Sequence, residues 1–449
     1  IPVPSVRSTS ELSFLVEITR LELGPICSRI VHFLLHSGPE SVPAITKSLG
    51  DSASLSSDAL KSLAQHGFVI KSDLKAALTV DKFQIASKIL SPSYTVLIGD
   101  LFGVEAEFVI ELLNEHGRLT WSMLSAWFIK SYPSSSIAQQ TRFSDTCNDL
   151  LRNQYLRRVA PVNGELPASD TGDLSPTDNR VVVAINHERF HRALRNRCIV
   201  EYVDGRLDSI ANAVCSALLI PQTDIDPPEY TEMALFDALP DGAGVTRTQL
   251  RQCLQEMLND NVPIVEIKES MSCGEVYAVR VDAIIDQIKR RHTQAIIRAK
   301  YGDEAARIFM LLLDKHQLEE KAISESGLIS KKMAREKLYA MMSNEFVALQ
   351  ELPKSADRNP QRTLFLWSVP LNRVFANLRS ALRQAWVNLQ QRLEAEMGPV
   401  ASLIERVRQQ SLLSLSDSEQ ARYQTYLKSH DRLVNASCKI AADIHLFQI

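Results

Sequence analysis

The chain has 449 residues, of which 45% are apolar and 23% charged, and its formal net charge is −3. These values are ordinary for a globular protein and allow about three domains, each with its own core. The small negative charge excludes a uniformly basic surface that wraps nucleic acid, so any such contact must come from local patches. A protein partner fits the composition equally well.

The cysteine spacing and the lack of long apolar runs further limit the classes of protein to which this chain could belong. None of the seven cysteines forms a C-x-x-C pair, so neither a zinc ribbon nor a redox pair is indicated. Most lie in apolar helical segments, such as Cys215, and we expect buried free thiols in a reducing compartment. No apolar run approaches the ~18 residues of a membrane span, and the N-terminus shows no secretory signal. It also lacks a starting Met, so we expect further residues upstream.

Residues 11–95 are predicted to form a winged-helix unit. Pro25 stands where a helix can begin, and apolar residues follow it at helical spacing until Gly38. Two shorter predicted helices end at Gly50 and Gly67. The stretches FVIKSD and AALTVDKF then predict two strands joined by a wing. Three helices followed by a β-hairpin is the winged-helix plan.

The same order of elements recurs three more times along the chain. In each case a helix ends in a short polar turn and an apolar strand follows at once, as in LAQHGFVIKS, LLRNQYLRRVAP, MLNDNVPIVEIKES and MMSNEFVALQELP. A repeated unit of this kind sets the architecture of the whole chain. We therefore predict further winged-helix units at residues 96–161, 183–282 and 283–370.

The remaining segments are a linker and a helical tail. Residues 162–182 are acidic, poor in apolar residues and rich in Ser, Pro, Gly and Asp, which predicts a flexible linker. Residues 371–449 show continuous helical periodicity with a corner at Gly398, and Trp386 lies on the apolar stripe, where we expect it to be buried. The expected fold is mainly α with small β-hairpins: four tandem extended winged-helix units followed by a C-terminal helical hairpin or coiled coil.

Enzyme motifs with supporting context are missing from the sequence. No phosphate-binding loop, dinucleotide fingerprint or nucleophile elbow is found, and GAG at 242–244 indicates a plain turn because no strand precedes it. His187 and His191 spell the H-E-x-x-H pattern of zinc proteases, with Glu201 as a conceivable third ligand. Three arginines around the pattern oppose metal binding, so we interpret it as a charged surface helix. We expect no catalytic site, no metal and no cofactor.

The fourth predicted unit carries the densest group of cations. On its third helix and its wing, the candidate DNA-binding residues are Lys331, Lys332, Arg335, Lys337, Lys354, Arg358 and Arg362. Winged-helix proteins use these two elements against phosphates or bases, and such a cluster can neutralise several phosphates. A solvated surface or a docking surface for an acidic protein fits the same residues, because a winged-helix fold alone does not establish DNA binding.

Four segments resemble the family of RNA polymerase III third-largest-type subunits. The stretch from Arg307 to Phe309 and the helix and wing sequences LYAMMSNEF and LQELPKSAD resemble that family's fourth winged-helix unit. The segment NHERFHRAL resembles the N-x-x-R-F-H motif that opens its third unit, through Asn186, Arg189, Phe190 and His191. The resemblance is specific over about residues 183–370 and rests on architecture elsewhere.

The resemblance implies a non-catalytic nuclear subunit of RNA polymerase III, which transcribes small non-coding RNA genes. It implies assembly with two smaller subunits into a heterotrimer, contact with initiation factor IIIB and an aid to promoter opening. From the cluster of cations and the negative net charge we expect contact with promoter DNA that is sequence-independent and weak for the isolated chain. Two alternatives remain from the residues themselves. A stand-alone winged-helix transcription regulator would need a strongly basic recognition helix and a dimer interface, and a zinc enzyme would need the H-E-x-x-H pattern to hold metal.

Overall fold

The computed structural model describes residues 6–50, 53–72, 77–134, 136–159, 181–220, 226–239, 244–271, 274–353, 363–410 and 416–449. These residues divide into two compact bodies. The first body comprises Ile1–Arg192 with Ser380–His445, and the second comprises Ala193–Arg379 with Leu446–Ile449. Of the helices found in these ranges, none is both long and apolar enough to cross a membrane.

The described chain is mainly helical. In chain order, its helices are α1 (Val6–Ser37), α2 (Val42–Leu49), α3 (Ala53–Gln65), α4 (Lys82–Ser87), α5 (Ser91–Phe102), α6 (Val104–His116), α7 (Trp121–Ser131), α8 (Ile137–Arg152), α9 (His187–Asp204), α10 (Ser209–Leu218), α11 (Glu232–Ala238), α12 (Arg247–Asn259), α13 (Val281–Tyr301), α14 (Asp303–Lys315), α15 (Glu320–Ser326), α16 (Lys331–Ser343), α17 (Leu371–Met397), α18 (Ala401–Gln410) and α19 (Asp417–Gln448).

Eleven short strands accompany these helices within the described ranges. They are β1 (Val69–Lys71), β2 (Leu78–Val80), β3 (Leu119–Thr120), β4 (Leu156–Val159), β5 (Val182–Ile185), β6 (Glu229–Thr231), β7 (Val265–Met271), β8 (Gly274–Val279), β9 (Gln317–Glu319), β10 (Ala348–Pro353) and β11 (Thr363–Ser368). They form four small antiparallel sheets, with the strand orders β1-β2, β3-β5-β4, β6-β8-β7 and β10-β11-β9.

The helices and strands predicted within residues 11–95 are found, except that the second strand ends at Val80 and Lys82–Ser87 form α4. Gly24 adopts φ 86° and interrupts α1, so that Pro25 begins its second half as expected. Gly50 and Gly67 follow α2 and α3 with φ 66° and 73°, left-handed values that end a helix without the steric cost of a Cβ. Strands β1 and β2 then pair antiparallel, as the alternating apolar stretches predict.

The predicted start of a third unit at residue 183 is wrong. Strand β5 pairs antiparallel with β4 and β3, in register Leu156↔Ile185 and Leu119↔Val183, and so completes the preceding sheet. An apolar run needs a paired neighbour for its backbone, and among the described residues β4 pairs with β5 alone. The predicted linker at 162–182 lies outside the described residues, apart from its last two.

Two other expected boundaries also fall within elements. The boundary between residues 95 and 96 lies inside α5, and the one between residues 282 and 283 lies inside α13. By contrast, α17 begins at Leu371, where the helical tail was expected. The helix TRTQLRQCLQEMLND is confirmed as α12, and Thr246 caps it in a reciprocal capping box with Gln249.

The cysteines match the expected chemistry wherever they are described. Six of them are free thiols, and Cys273 and the 242–243 portion of the GAG turn lie outside the described residues. Cys147 and Cys215 are fully buried. Burial raises the pKa of the Cys147 thiol and raises that of Cys215 to about 12, so both remain protonated at neutral pH.

The helical tail packs against the start of the chain within the first body. Trp386 is 6% exposed, and its ring meets the Phe14 ring edge-on at a centroid distance of 5.4 Å. Ile444 of α19 joins the same hydrophobic cluster, and Gln390 of α17 donates a hydrogen bond to Ser437 of α19 at 2.8 Å. The predicted burial of Trp386 is confirmed, and at the predicted corner α17 ends at Met397 and a 3-10 turn follows from Gly398 to Val400.

The interpretation of NHERFHRAL as a charged surface helix is wrong for one face of α9. His187 and Phe190 are buried, and Phe190 stacks on the ring of Tyr94 with centroids 4.3 Å apart. The ring of His191 meets that of His445 edge-on at 4.4 Å. The arginines of this segment make it look charged in the sequence. The aromatic contacts that bury His187 and Phe190 involve residues far away in the chain, so the sequence does not reveal them.

Burial changes the ionisation of both histidines. It lowers the pKa of His187 to about 3, helped by the positive charge of Lys88. It also lowers the pKa of His191 to about 3, with a further contribution from His445. Both rings are therefore neutral in the folded protein at neutral pH.

We expect Trp386→Ala to lower the free energy of unfolding by ~3–5 kcal/mol, because it leaves a cavity beside Phe14. The measurement is urea denaturation of the full chain. Gln391→Ala, an exposed neighbour on the same helix, should change the free energy by less than about 0.5 kcal/mol. Equal losses in the two variants would contradict the packing of the tail described above.

The free energy of unfolding should fall as the pH drops below about 6.5, the pKa of an unfolded histidine. In that range the unfolded chain binds protons at both positions, whereas His187 and His191 of the folded chain stay neutral until about pH 3. Each contributes a slope of up to about 1.36 kcal/mol per pH unit. His187→Gln and His191→Gln should each reduce the slope of unfolding free energy between pH 4 and 6. Phe190→Leu should destabilise the chain but keep the slope; an unchanged slope in both Gln variants would refute the assignment.

Candidate nucleic-acid interface

Helix α16 carries the central part of the predicted interface. The side chain of Ser330 caps it by accepting a hydrogen bond from the Met333 amide at 3.3 Å. Ala334, Leu338 and Met341 are buried at helical spacing, which turns one face of α16 towards the core. The opposite face is left exposed and carries most of the predicted contact residues.

Lys331 and Lys332 are the two exposed cations at the start of α16. In the described part of the chain, neither forms a salt bridge or a side-chain hydrogen bond. Their ammonium groups lie in the first helical turn, where the helix dipole already contributes positive charge and acidic residues are normally preferred. Placing two lysines there is unfavourable for the helix by a few tenths of a kcal/mol each, yet it concentrates positive potential where phosphates bind well.

Arg335 and Lys337 have partners inside the protein. The guanidinium of Arg335 donates to the Glu320 carboxylate of α15 at 2.7 Å, and this hydrogen bond raises the pKa of Arg335. Lys337 Nζ donates to the main-chain oxygen of Tyr301 at 2.8 Å, at the carboxyl end of α13. Both side chains therefore already bind neighbouring helices, Arg335 to α15 and Lys337 to α13.

The other predicted contact residues are Lys354, Arg358 and Arg362, which lie outside the described residues. They occupy the chain between β10 and β11. The two flanking strands are described in full, and they pair from Ala348↔Ser368 to Pro353↔Thr363. The structure thus brings Lys331, Lys332, Arg335 and Lys337 together on one helix and does not describe the other three positions.

The basic stretch IKRRHTQAIIRAK, residues 288–300 of α13, carries cations that mainly contact other parts of the protein. On α13, Lys289 lies over the Phe375 ring and Arg291 over the Tyr202 ring, at 5.8 Å and 4.7 Å. Arg298 pairs with Asp303 at 2.9 Å. Because these cations have internal partners, they add less to an exposed binding surface than the sequence suggests.

The helices predicted to correspond to α16 in the other units also carry paired cations. Lys61 of α3 lies 3.0 Å from Asp58, and Arg251 of α12 lies 2.9 Å from Glu232. The pair at the start of α16 therefore differs from these positions in having no internal acidic partner within the described ranges. This difference could not be predicted from sequence, because Glu232 and Glu320 belong to other helices.

The two histidines of the H-E-x-x-H segment lie among aromatic and hydroxyl neighbours. No group of three His, Cys, Asp or Glu side chains among the described residues has the proximity to hold a metal ion. His191 Nε2 lies 3.1 Å from Ser87 Oγ, and His187 Nδ1 lies 3.4 Å from the Tyr94 hydroxyl, so both rings have polar neighbours other than carboxylates.

Sequence reasoning missed an apolar groove between α6 and α7. It has a volume of about 380 Å³ and is lined by Phe108, Phe128 and Tyr132, with Glu105 as the charged lining residue. The three aromatic rings pack at centroid distances between 5.1 and 5.9 Å. The helical spacing of these aromatics suggests core residues, but the exposure of Tyr132, at 45%, and of Val104 beside it, at 66%, reveals an open surface.

Two family models match adjoining parts of the chain. One, described as RNA polymerase III subunit RPC82, matches residues 126–288, and the other, described as the POLR3C C-terminal winged-helix domain, matches residues 293–369. The second match contains α16 and the strands β10 and β11 that flank the predicted wing.

Curated relatives agree with these models. Over 274 residues the chain is 26% identical to the DNA-directed RNA polymerase III subunit RPC3 of Rattus norvegicus, covering 59% of this chain and 51% of the relative. The same subunit of Danio rerio is 31% identical over 41% of the chain and 35% of the relative. That of Emericella nidulans is 23% identical over 87% of the chain and 73% of the relative. The chain spans about half the length of the mammalian relatives, and it belongs to the RPC3 family of RNA polymerase III subunits.

Proposed function

We propose that the chain is a non-catalytic subunit of nuclear RNA polymerase III that supports transcription initiation at small non-coding RNA genes. The observation that carries the proposal is the pair of adjoining family matches, which together run from residue 126 to 369. The role is performed in a heterotrimer with two smaller subunits, through contact with initiation factor IIIB and through promoter opening. It requires no metal, cofactor or catalytic centre in this chain.

The architecture that we propose for this role is four tandem extended winged-helix units with a C-terminal helical hairpin or coiled coil. Its support is the order of elements, since each of the four sheets follows or encloses a set of short helices. The second unit extends to Ile185, because β5 completes its sheet. The hairpin is supported by the shared hydrophobic cluster of Trp386 and Ile444.

DNA contact is proposed to centre on Lys331 and Lys332. Among the described residues neither ammonium group has an internal partner, which leaves both available for phosphate, and phosphate contacts carry no sequence information. Arg335 contributes less because Glu320 competes for its guanidinium. Lys337 is held by the carbonyl of Tyr301, and Lys354, Arg358 and Arg362 remain proposed wing contacts. The negative net charge makes binding by the isolated chain weak.

The polymerase assignment is tested by affinity purification of the full chain from its own nuclei. The expected outcome is stoichiometric recovery of polymerase III subunits, including two smaller chains that stay with this one when the core enzyme is removed by salt. A stand-alone transcription regulator would instead be recovered as a homodimer without polymerase subunits. That second outcome would overturn the proposed function.

The DNA assignment is tested by reversing Lys331→Glu and Lys332→Glu together. We expect weaker binding to two unrelated 40-base-pair duplexes, by similar factors, because the contacts are to phosphates. The slope of log affinity against log salt should fall by about 0.9 for each lost contact. The control is Lys61→Glu with Arg251→Glu, which makes the same change in net charge on α3 and α12.

Two results would contradict this assignment. If the control pair weakens binding as much as the α16 pair, the effect is one of total charge and not of site. If the α16 pair leaves DNA binding unchanged but releases another subunit, the surface is a docking site for an acidic protein.

A further inference from the structure

Leu328 has an unusual backbone conformation in the turn between α15 and α16. Its φ is 52°, in the left-handed region that glycine adopts freely and that costs free energy for a residue with a Cβ. The glycine of this turn is the preceding residue, Gly327, where a Cβ would lie 2.8 Å from the main-chain oxygen of Ile323. The left-handed position itself therefore carries a leucine, although glycine would adopt it with less strain.

The side chain of Leu328 is also open to solvent. It is 87% exposed, which is the largest value among the large apolar side chains that the structure describes. Single exposed apolar residues are common on proteins, but this one is exposed in a conformation that lowers stability. Neither property helps the chain to fold, so together they point to a contact that Leu328 makes outside this chain.

Hydrogen bonds hold the main chain on both sides of Leu328. The Gly327 amide donates to the main-chain oxygen of Ile323 at 2.9 Å. The Ile329 amide donates to the main-chain oxygen of Ser324 at 3.1 Å, and the buried Ser324 hydroxyl donates back to the carbonyl of Ile329 at 2.7 Å. These bonds fix the turn, so the leucine is presented at a defined place and little conformational entropy is lost when it binds.

Two exposed lysines, Lys331 and Lys332, follow Leu328 closely in the chain. Within the described ranges neither forms a salt bridge or a side-chain hydrogen bond. Lysine is depleted in the desolvated core of protein interfaces, which argues against a protein pocket as the binding site of Leu328. Proteins that kink DNA combine cations on the phosphates with an apolar side chain inserted between base pairs. The residues of this turn therefore fit DNA better than an apolar protein surface.

We propose that Leu328 is an apolar wedge that inserts between adjacent base pairs of the DNA whose phosphates Lys331 and Lys332 bind. The inference rests on the DNA contact proposed above and adds to it a means of distorting the duplex. Insertion unstacks one base step, and TA steps unstack most easily. Because an unstacked step weakens the pairs beside it, the wedge favours local opening without any base-specific hydrogen bond.

The test uses the full chain and a 40-base-pair duplex with 2-aminopurine in place of adenine at its TA steps. The fluorescence of 2-aminopurine increases when the base is unstacked, and it is measured at saturating protein so that differences in affinity do not contribute. The wild-type chain should raise the fluorescence. Leu328→Ala and Leu328→Gly should each remove more than half of this increase. The slope of log affinity against log salt should stay the same, because the phosphate contacts remain.

Three controls separate the wedge from effects on folding or on the surface as a whole. Leu328→Gly should raise the urea unfolding midpoint, because glycine adopts a positive φ without strain, so its lost fluorescence does not reflect unfolding. Leu328→Met keeps an apolar side chain of similar length and should retain most of the fluorescence increase. Leu101→Ala removes a leucine of α5 that is 55% exposed and follows Asp100, and it should retain the full increase.

The outcomes distinguish the wedge from the DNA contact on which it rests. If the wild-type chain binds the duplex with the expected salt dependence but does not raise the fluorescence, the DNA contact stands and the wedge is wrong. If Leu328→Ala keeps the increase, the leucine is not the wedge, and release of another polymerase subunit by that variant would identify Leu328 as a protein contact. A wild-type chain that does not bind the duplex would refute the proposed DNA contact, and the wedge with it.

Discussion

Strands of two to seven residues cannot form a stable sheet alone, and this constraint governs the whole chain. Each of the four sheets offers one or two short ladders of hydrogen bonds, far too few to offset the entropy of ordering its chain. The helices before each sheet must therefore provide the core. The pattern of buried residues on α12 and α16, with one apolar face and one exposed face, shows how this is achieved.

Local signals in the sequence predicted most elements because they depend on near neighbours. Helix ends at Gly50 and Gly67 and the cap at Thr246 follow from backbone conformation within a few residues. The start of a third unit at residue 183 was wrong because strand pairing depends on distant partners, and β5 finds β4 across a long stretch of chain. The burial of His187 was missed for the same reason, since Tyr94 lies far away in sequence.

In the candidate interface, too, the sequence predicts local features but not contacts between distant residues. The sequence identifies every cation, but it does not reveal which ones already have partners. Glu320 and the carbonyl of Tyr301 bind Arg335 and Lys337, whereas Lys331 and Lys332 have no partner among the residues that the structure describes. Two lysines in the first turn of a helix interact unfavourably with the helix dipole and so reduce stability. Residues that reduce stability locally are often kept for a function, so we expect one here.

The pairing of β4 with β5 has a consequence for how this family can vary. Four residue pairs, from Leu156↔Ile185 to Val159↔Val182, fix the two chain ends that the intervening sequence connects. The entropic cost of closing a loop grows only with the logarithm of its length, so doubling the connection costs only about 0.6 kcal/mol. Evolution can therefore lengthen or shorten this stretch, and change its composition, while the sheet that it closes keeps the same register.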